Sequence, residues 1–137
     1  MPHKIAVSRK EHFNAAHRLH NPVLSDESNK EIYGKCNSPN YHGHNYELVV
    51  SLVGEVNPIT GYVVDTAKLS QIIRLHVTDL LDHKNLNVDI PALMNTNPTT
   101  ENIAIFIYEI LRPLIDQKLT LKITLYETER NYVEYPA

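Results

Sequence analysis

The spacing of apolar residues along the chain predicts its elements. From Ile5 to His17 the odd positions read Ile5, Val7, Arg9, Glu11, Phe13, Ala15 and His17, apolar towards both ends and charged in the middle. A strand there places His17 on one face with Phe13 and Ala15, because successive strand side chains alternate faces. His42 to Val56 is a second strand, with His42, His44, Tyr46, Leu48, Val50 and Leu52 on one face. Asn57-Pro58-Ile59-Thr60-Gly61 reads as a turn, and Tyr62 to Asp65 resumes as a short strand that closes a hairpin. The period then changes. Leu69, Ile72, Ile73, His76 and Leu80 recur at helical spacing, so Thr66 to Leu81 reads as a helix capped by Asp65 or Thr66. After a loop from Asp82 to Asn97, Thr99 or Thr100 caps a second helix with Ile103, Phe106, Ile107, Ile110, Leu111 and Leu114 on its apolar face. Pro113 ends or kinks that helix near Arg112. Leu119 to Glu127 is a strand with Leu119, Leu121, Ile123 and Leu125 inward and Glu127 next on that face, and Asn131 to Tyr135 is a last short strand. Asn21 to Asn40 shows neither period and reads as one long loop, a length that marks function or disorder in a compact domain. Strands followed by helices and then strands predict an α+β fold, an antiparallel sheet covered by two helices.

Composition narrows the function classes. The chain has 137 residues, with 13 Lys+Arg against 16 Asp+Glu and a formal charge of −3. That length suits a single domain, 1–137, able to bury a core without staples. No basic excess is available to neutralise phosphates, which argues against a nucleic-acid partner. Cys36 is the single cysteine, so no internal disulfide forms and a reducing compartment is expected. Met1 to Lys10 contains no continuous apolar run of a signal peptide, and the longest apolar run, Ile103 to Tyr108, is far too short to span a bilayer. A soluble, cytoplasmic chain with no membrane partner is expected. The eight histidines change the picture, because histidine is the commonest metal ligand and the usual acid/base group.

His42-Gly43-His44 is the sharpest local signal. Positions i and i+2 of a strand share a face, so both imidazoles converge, and His17 is a third on another inward strand face. Three imidazoles with one open position match a catalytic zinc site; a chance or core pair is the alternative. Cys36, six positions before His42, sits beside Lys35. A neighbouring cation can lower a thiol towards the thiolate, whereas a lone cysteine can equally be an inert small apolar residue. Asp82 could orient His83 as a proton carrier, although adjacent side chains rarely bond each other, and a histidine at a helix end is also favoured by the macrodipole. Glu127 is either exposed at a strand end or buried with partners, in which case it could accept two N–H groups from a flat amidine-like edge.

These residues resemble a known family. Phe13-Asn14-Ala15-Ala16-His17-Arg18-Leu19, Leu24-Ser25-Asp26-Glu27, Gly34-Lys35-Cys36-Asn37 and His42-Gly43-His44-Asn45-Tyr46 are similar to the 6-pyruvoyl-tetrahydropterin synthase and 6-carboxy-tetrahydropterin synthase family. Leu81-Asp82-His83-Lys84-Asn85-Leu86, Thr99-Thr100-Glu101-Asn102 and Tyr126-Glu127-Thr128 continue the likeness in the same order across essentially the whole chain. The resemblance implies the tunnelling fold, in which four-stranded, two-helix subunits form trimeric barrels that stack into a homohexamer. It implies one Zn2+ per subunit held by His17, His42 and His44, and 7,8-dihydroneopterin triphosphate bound at a subunit interface. It assigns Cys36 as the catalytic thiol and Asp82 with His83 as a proton relay, and because subunits meet at the site, Cys36 and His83 can come from the same chain or from different ones. Glu127 would anchor the pterin, with Thr99, Thr100 and Glu101 lining the same pocket.

The implied reaction is a zinc-dependent lyase step that eliminates triphosphate to give 6-pyruvoyl-tetrahydropterin, the chemistry of tetrahydrobiopterin biosynthesis. No Gly-rich dinucleotide motif is present, and internal hydrogen redistribution needs none. Tyr41, Asn97-Pro98 and Glu134-Tyr135-Pro136 look more like bacterial members. Many of those use the same site and substrate to make 6-carboxy-5,6,7,8-tetrahydropterin and acetaldehyde for queuosine biosynthesis, so that product is an alternative. An aldolase or epimerase of the same fold, and a non-catalytic pterin- or zinc-binding protein, are further rivals. Arg18, Lys35 and Lys84 lie near the motifs with no assigned part in holding triphosphate.

Overall fold

Two long strands carry the architecture. In the computed structural model, which describes residues 3–137, β1 (Lys4–His17) runs antiparallel to β2 (His42–Glu55) over the full length of both, from Lys4↔Glu55 to His17↔His42. Met1 and Pro2, the start of the stretch read above for a signal peptide, lie outside the described residues. The odd positions of β1 and the even positions of β2 turn to one face, so Phe13 and Ala15 meet Tyr46, Leu48, Val50 and Leu52 in the core. The charged middle of β1 stays on that face. Glu11 is only 8% exposed, and its carboxylate accepts from Ser70 Oγ at 2.7 Å, Arg9 Nε at 3.0 Å and Arg74 Nε at 3.2 Å. Partners remove the cost of burying a bare charge.

Between these strands the expected loop is partly helical. Ser25 caps α1 (Asp26–Tyr33), its side chain accepting from the Ser28 N–H, with Asp26 and Glu27 in the first turn. Gly34 ends α1 at φ +55°, a backbone conformation that L side chains rarely adopt. A 3₁₀ turn, Gly34–Asn37, then carries Cys36. The cap and the acidic first turn were available signals for a helix start, but α1 is short and strongly polar, so no apolar period announces it.

Beyond β2 the expected strand at Tyr62 to Asp65 does not form; that stretch leads irregularly into the Asp65 cap of α2 (Thr66–Ile73). The helix continues through a π-helical stretch, Arg74–Thr78, into α3 (Asp79–Leu81). This turn corrects the predicted apolar face. Leu69, Ile73, Val77 and Leu81 are buried at intervals of four, while His76 and Leu80 point outwards. A regular helix would rotate such a four-residue series steadily away from the sheet, and the wider π turn absorbs the drift.

β3 (Lys84–Asn85) pairs parallel with β1, and Thr99 caps α4 (Thr100–Leu111), which gives way at Pro113 to a 3₁₀ turn as expected. β4 (Thr120–Tyr126) and β5 (Tyr132–Tyr135) complete a sheet of order β3-β1-β2-β4-β5. The class is α+β as predicted, but the sheet has five strands with one parallel edge pair rather than four antiparallel strands. The α2–α3 run and α4 cover one face through Leu69, Ile73, Val77, Ile103, Ile107 and Leu111. The other face carries polar cross-strand pairs, such as Ser8 with Ser51 and Lys10 with Glu47. No helix among the described residues is long and apolar enough to cross a membrane.

Candidate active site

The pairing of β1 with β2 ends where its last residue, His17, faces the first of β2, His42. His44, two residues on, shares the face of His42. The three rings pack edge to face, with centroids 4.6, 5.1 and 4.9 Å apart. One nitrogen from each of His17, His42 and His44 lies within 4.8 Å of the others. His17 is fully buried. Its Nδ1–H donates to the Pro98 carbonyl at 2.8 Å, with Tyr46 Oη 3.3 Å from the same nitrogen. That bond fixes the tautomer and leaves the Nε2 lone pair facing the cluster, 3.0 Å from His42 Nε2. Burial pushes the pKa of both His17 and His42 down, and each is lowered further by neighbouring imidazoles. Both are therefore neutral near pH 7, the form that ligates a metal. His44 Nε2 is buried without a hydrogen-bond partner among the described residues. The donor set, the oriented tautomer and this orphaned nitrogen together make a cluster that could hold a metal ion.

Glu127 follows β4 and joins the histidines to a cavity. Its Oε1 is 3.8 Å from His44 Nε2 and its Oε2 is 3.9 Å from His17 Nε2. Oε2 also accepts from Thr100 Oγ1 at 2.8 Å. A cavity of about 320 Å³ opens beside it, lined by Thr99, Thr100, Glu101 and Glu127 together with Leu19, Asn131, Tyr132 and Val133. Every residue expected to hold the pterin therefore meets there. Leu19, Tyr132 and Val133 line it without any signal in the sequence, since an apolar wall carries no motif.

Cys36 is partly buried. Its thiol is pushed up by burial and by the Glu127 carboxylate, opposite to the lowering expected from a neighbouring Lys35. Asp82 and His83 do bond, contrary to the objection that adjacent side chains rarely reach each other: His83 Nδ1 donates to Asp82 Oδ2 at 2.8 Å. The reason is backbone geometry. Asp82 is extended and His83 sits at φ +60°, which folds the two side chains together. The backbone N–H of Asn14 donates to Asp82 Oδ1 at 2.8 Å and is the chief cause of that carboxyl's lowered pKa, with His83 next. This pair lies next to β3, on the sheet edge beside Asn14 rather than on the face of His17. His83 is 83% exposed, and no hydrogen bond or ion pair among the described residues links it to the triad.

Comparison with known proteins bears directly on this arrangement. The family model for 6-pyruvoyl tetrahydropterin synthase matches residues 6–137. The 6-pyruvoyl tetrahydrobiopterin synthase of Homo sapiens is 43% identical over 129 residues, 94% of this chain and 89% of the human one. That of Dictyostelium discoideum is 43% identical over 135 residues, 98% of both chains. The structure of Caenorhabditis elegans 6-pyruvoyl tetrahydropterin synthase superposes with a TM-score of 0.91 at 43% identity, covering 98% of this chain and 96% of that one.

Proposed function

The chain belongs to the 6-pyruvoyl tetrahydropterin synthase family and has its α+β tunnelling fold, and from that premise we propose a zinc-dependent lyase that converts 7,8-dihydroneopterin triphosphate to 6-pyruvoyl-tetrahydropterin and triphosphate. The observation that carries this reading is Glu127, which stands between the three-histidine cluster and the pterin-sized cavity. A pterin there presents its amino-pyrimidine N–H groups to the carboxylate, and the Thr100 hydroxyl holds that carboxylate in place. The hydroxylated side chain then lies towards His17, His42 and His44.

Those three residues would hold the Zn2+, one per subunit, which supplies Lewis acidity to the substrate hydroxyls and to the C–H bonds next to them. Cys36 takes a proton from the substrate side chain. Its raised pKa within one chain means that the thiolate needs a cation beside it. His83 brought by a neighbouring copy serves as the proton partner of that thiol, with Asp82 holding Nδ1–H so that Nε2 faces the substrate. The exposed position of Asp82 and His83 at the sheet edge, away from their own triad, supports a site shared between subunits of a homohexamer of two barrel trimers. Loss of triphosphate and return of the proton redistribute hydrogen within the substrate, so no external electron carrier enters. A reducing compartment such as the cytoplasm keeps Cys36 a thiol.

The test is mass spectrometry of the metal-loaded protein turning over 7,8-dihydroneopterin triphosphate. A pyruvoyl product is expected. A 6-carboxy product with acetaldehyde moves the protein to the queuosine branch, and an unchanged substrate with metal bound removes the enzymatic reading.

A further inference from the structure

Resting on the dihydroneopterin triphosphate reading, we infer that a second cavity, built around Arg18, binds the polyphosphate end of the substrate. This cavity of about 470 Å³ is lined by Arg18, His20, Asn21, Tyr41, Asn95 and Asn97 among others, and among the described residues no Asp or Glu lines it. A polar wall free of acids, in a chain with 16 acidic residues, selects for anions. Arg18 takes part in no ion pair among the described residues. Its Nε donates to the Asn37 carbonyl at 2.9 Å, which fixes the guanidinium while its terminal nitrogens have no hydrogen-bond partner among the described residues. Its backbone is clamped as well. The Arg18 N–H donates to Asn87 Oδ1 and the Arg18 carbonyl accepts from Asn87 Nδ2, both at 2.8 Å. A half-buried guanidinium held this way is prepared for bidentate contact with phosphate oxygens. His20 adds a donor. Asn37 Nδ2 donates to its Nδ1 at 3.0 Å, which places the ring proton on Nε2.

The position of the cavity matches the order of groups in the substrate. Arg18 follows His17, Tyr41 precedes His42, and Asn97 precedes the Pro98 whose carbonyl orients His17. Two segments thus step directly from a cluster histidine to a residue lining this cavity, about 3.8 Å between Cα atoms, and a third does so from Pro98, whose carbonyl holds His17. The pterin cavity meets the same cluster through Glu127. Pterin, hydroxylated carbons and triphosphate would then occupy the Glu127 cavity, the histidine cluster and the Arg18 cavity in turn. Lys35 and Lys84, the other cations near the motifs, are exposed and line no part of it.

Calorimetric titration with inorganic tripolyphosphate tests this, on metal-loaded protein and on protein stripped of metal. Binding is expected in both states, weakened by Arg18→Gln roughly 10- to 100-fold, as for loss of a charge-assisted contact. Asn95→Asp guards against a folding artefact: the position is exposed, and the substitution adds a carboxylate to the wall, so it weakens tripolyphosphate binding as well. With the triphosphate substrate, Arg18→Gln raises KM, while affinity for unphosphorylated 7,8-dihydroneopterin stays unchanged. Tripolyphosphate binding that is equal in Arg18→Gln and wild type, or that disappears with the metal, overturns the assignment. Binding that depends on Arg18 in a wild-type protein unable to turn over substrate keeps the anion cavity and removes the reaction.

Discussion

Glu127→Gln isolates the charge of the proposed pterin anchor with almost no change in shape. Glutamine still offers an oxygen to Thr100 Oγ1, whose bond to Glu127 is 2.8 Å in the structure, so the cavity wall keeps its form. The amide is lost as a double acceptor: it presents one oxygen and one N–H, and the second pterin N–H meets a donor. Hydrogen bonds to a charged group contribute about 1.5–3 kcal/mol each. Losing one outright and weakening the other to a neutral bond costs the complex about 2–4 kcal/mol, or roughly 30- to 1000-fold in affinity. Fluorescence titration with 7,8-dihydroneopterin reads this directly, and it needs neither turnover nor triphosphate. Metal content and thermal midpoint serve as controls and should be unchanged, since Glu127 lies 3.8 and 3.9 Å from the histidine nitrogens and lends them no short bond. Affinity within threefold of wild type would refute the anchoring argument, because among the described residues no other carboxylate but Glu101 lines that cavity.

Cys36→Ala should leave metal content, fold and pterin affinity intact while turnover falls at least a thousandfold; a stopped-flow assay retaining more than a tenth of the wild-type rate sinks the proton-transfer role of the thiol. The buried Glu11 makes a stability prediction with a defined sign. Burial raises its pKa, but the bonds from Ser70, Arg9 and Arg74 outweigh it, and the net shift is below the ordinary value of 4.5. Its contribution is therefore fully present above that value and fades as the pH falls through the lower folded value. Glu11→Gln should cost about 1–2 kcal/mol at pH 7, measured by urea denaturation, with the gap to wild type closing below pH 4.5. A gap that holds or widens on acidification contradicts the pairing.

Much of the candidate site is legible in the sequence. The two-residue period places His42 and His44 on one face and His17 on the inward face of its partner strand, because strand side chains alternate by covalent geometry. Asp65 and Thr99 announce their helices by a short-range bond from side chain to backbone. The order of Cys36, Asp82, His83 and Glu127 around those histidines suffices to suggest a family. Such features depend on neighbours a few residues apart, so the chain itself displays them. The rest depends on contacts between distant segments. The Pro98 carbonyl, 81 positions from His17, decides which nitrogen of that ring faces the cluster. Glu11 looks like a break in an apolar strand until Ser70 and Arg74, 59 and 63 positions away, supply its partners. The π turn answers the shape of the sheet beneath it, and the φ of His83 answers the Asn14 backbone that receives Asp82 and His83. Arg18 shows the division most plainly: its charge is written in the sequence, but only Asn37 and Asn87, brought to it by the fold, leave that charge clamped and half-buried.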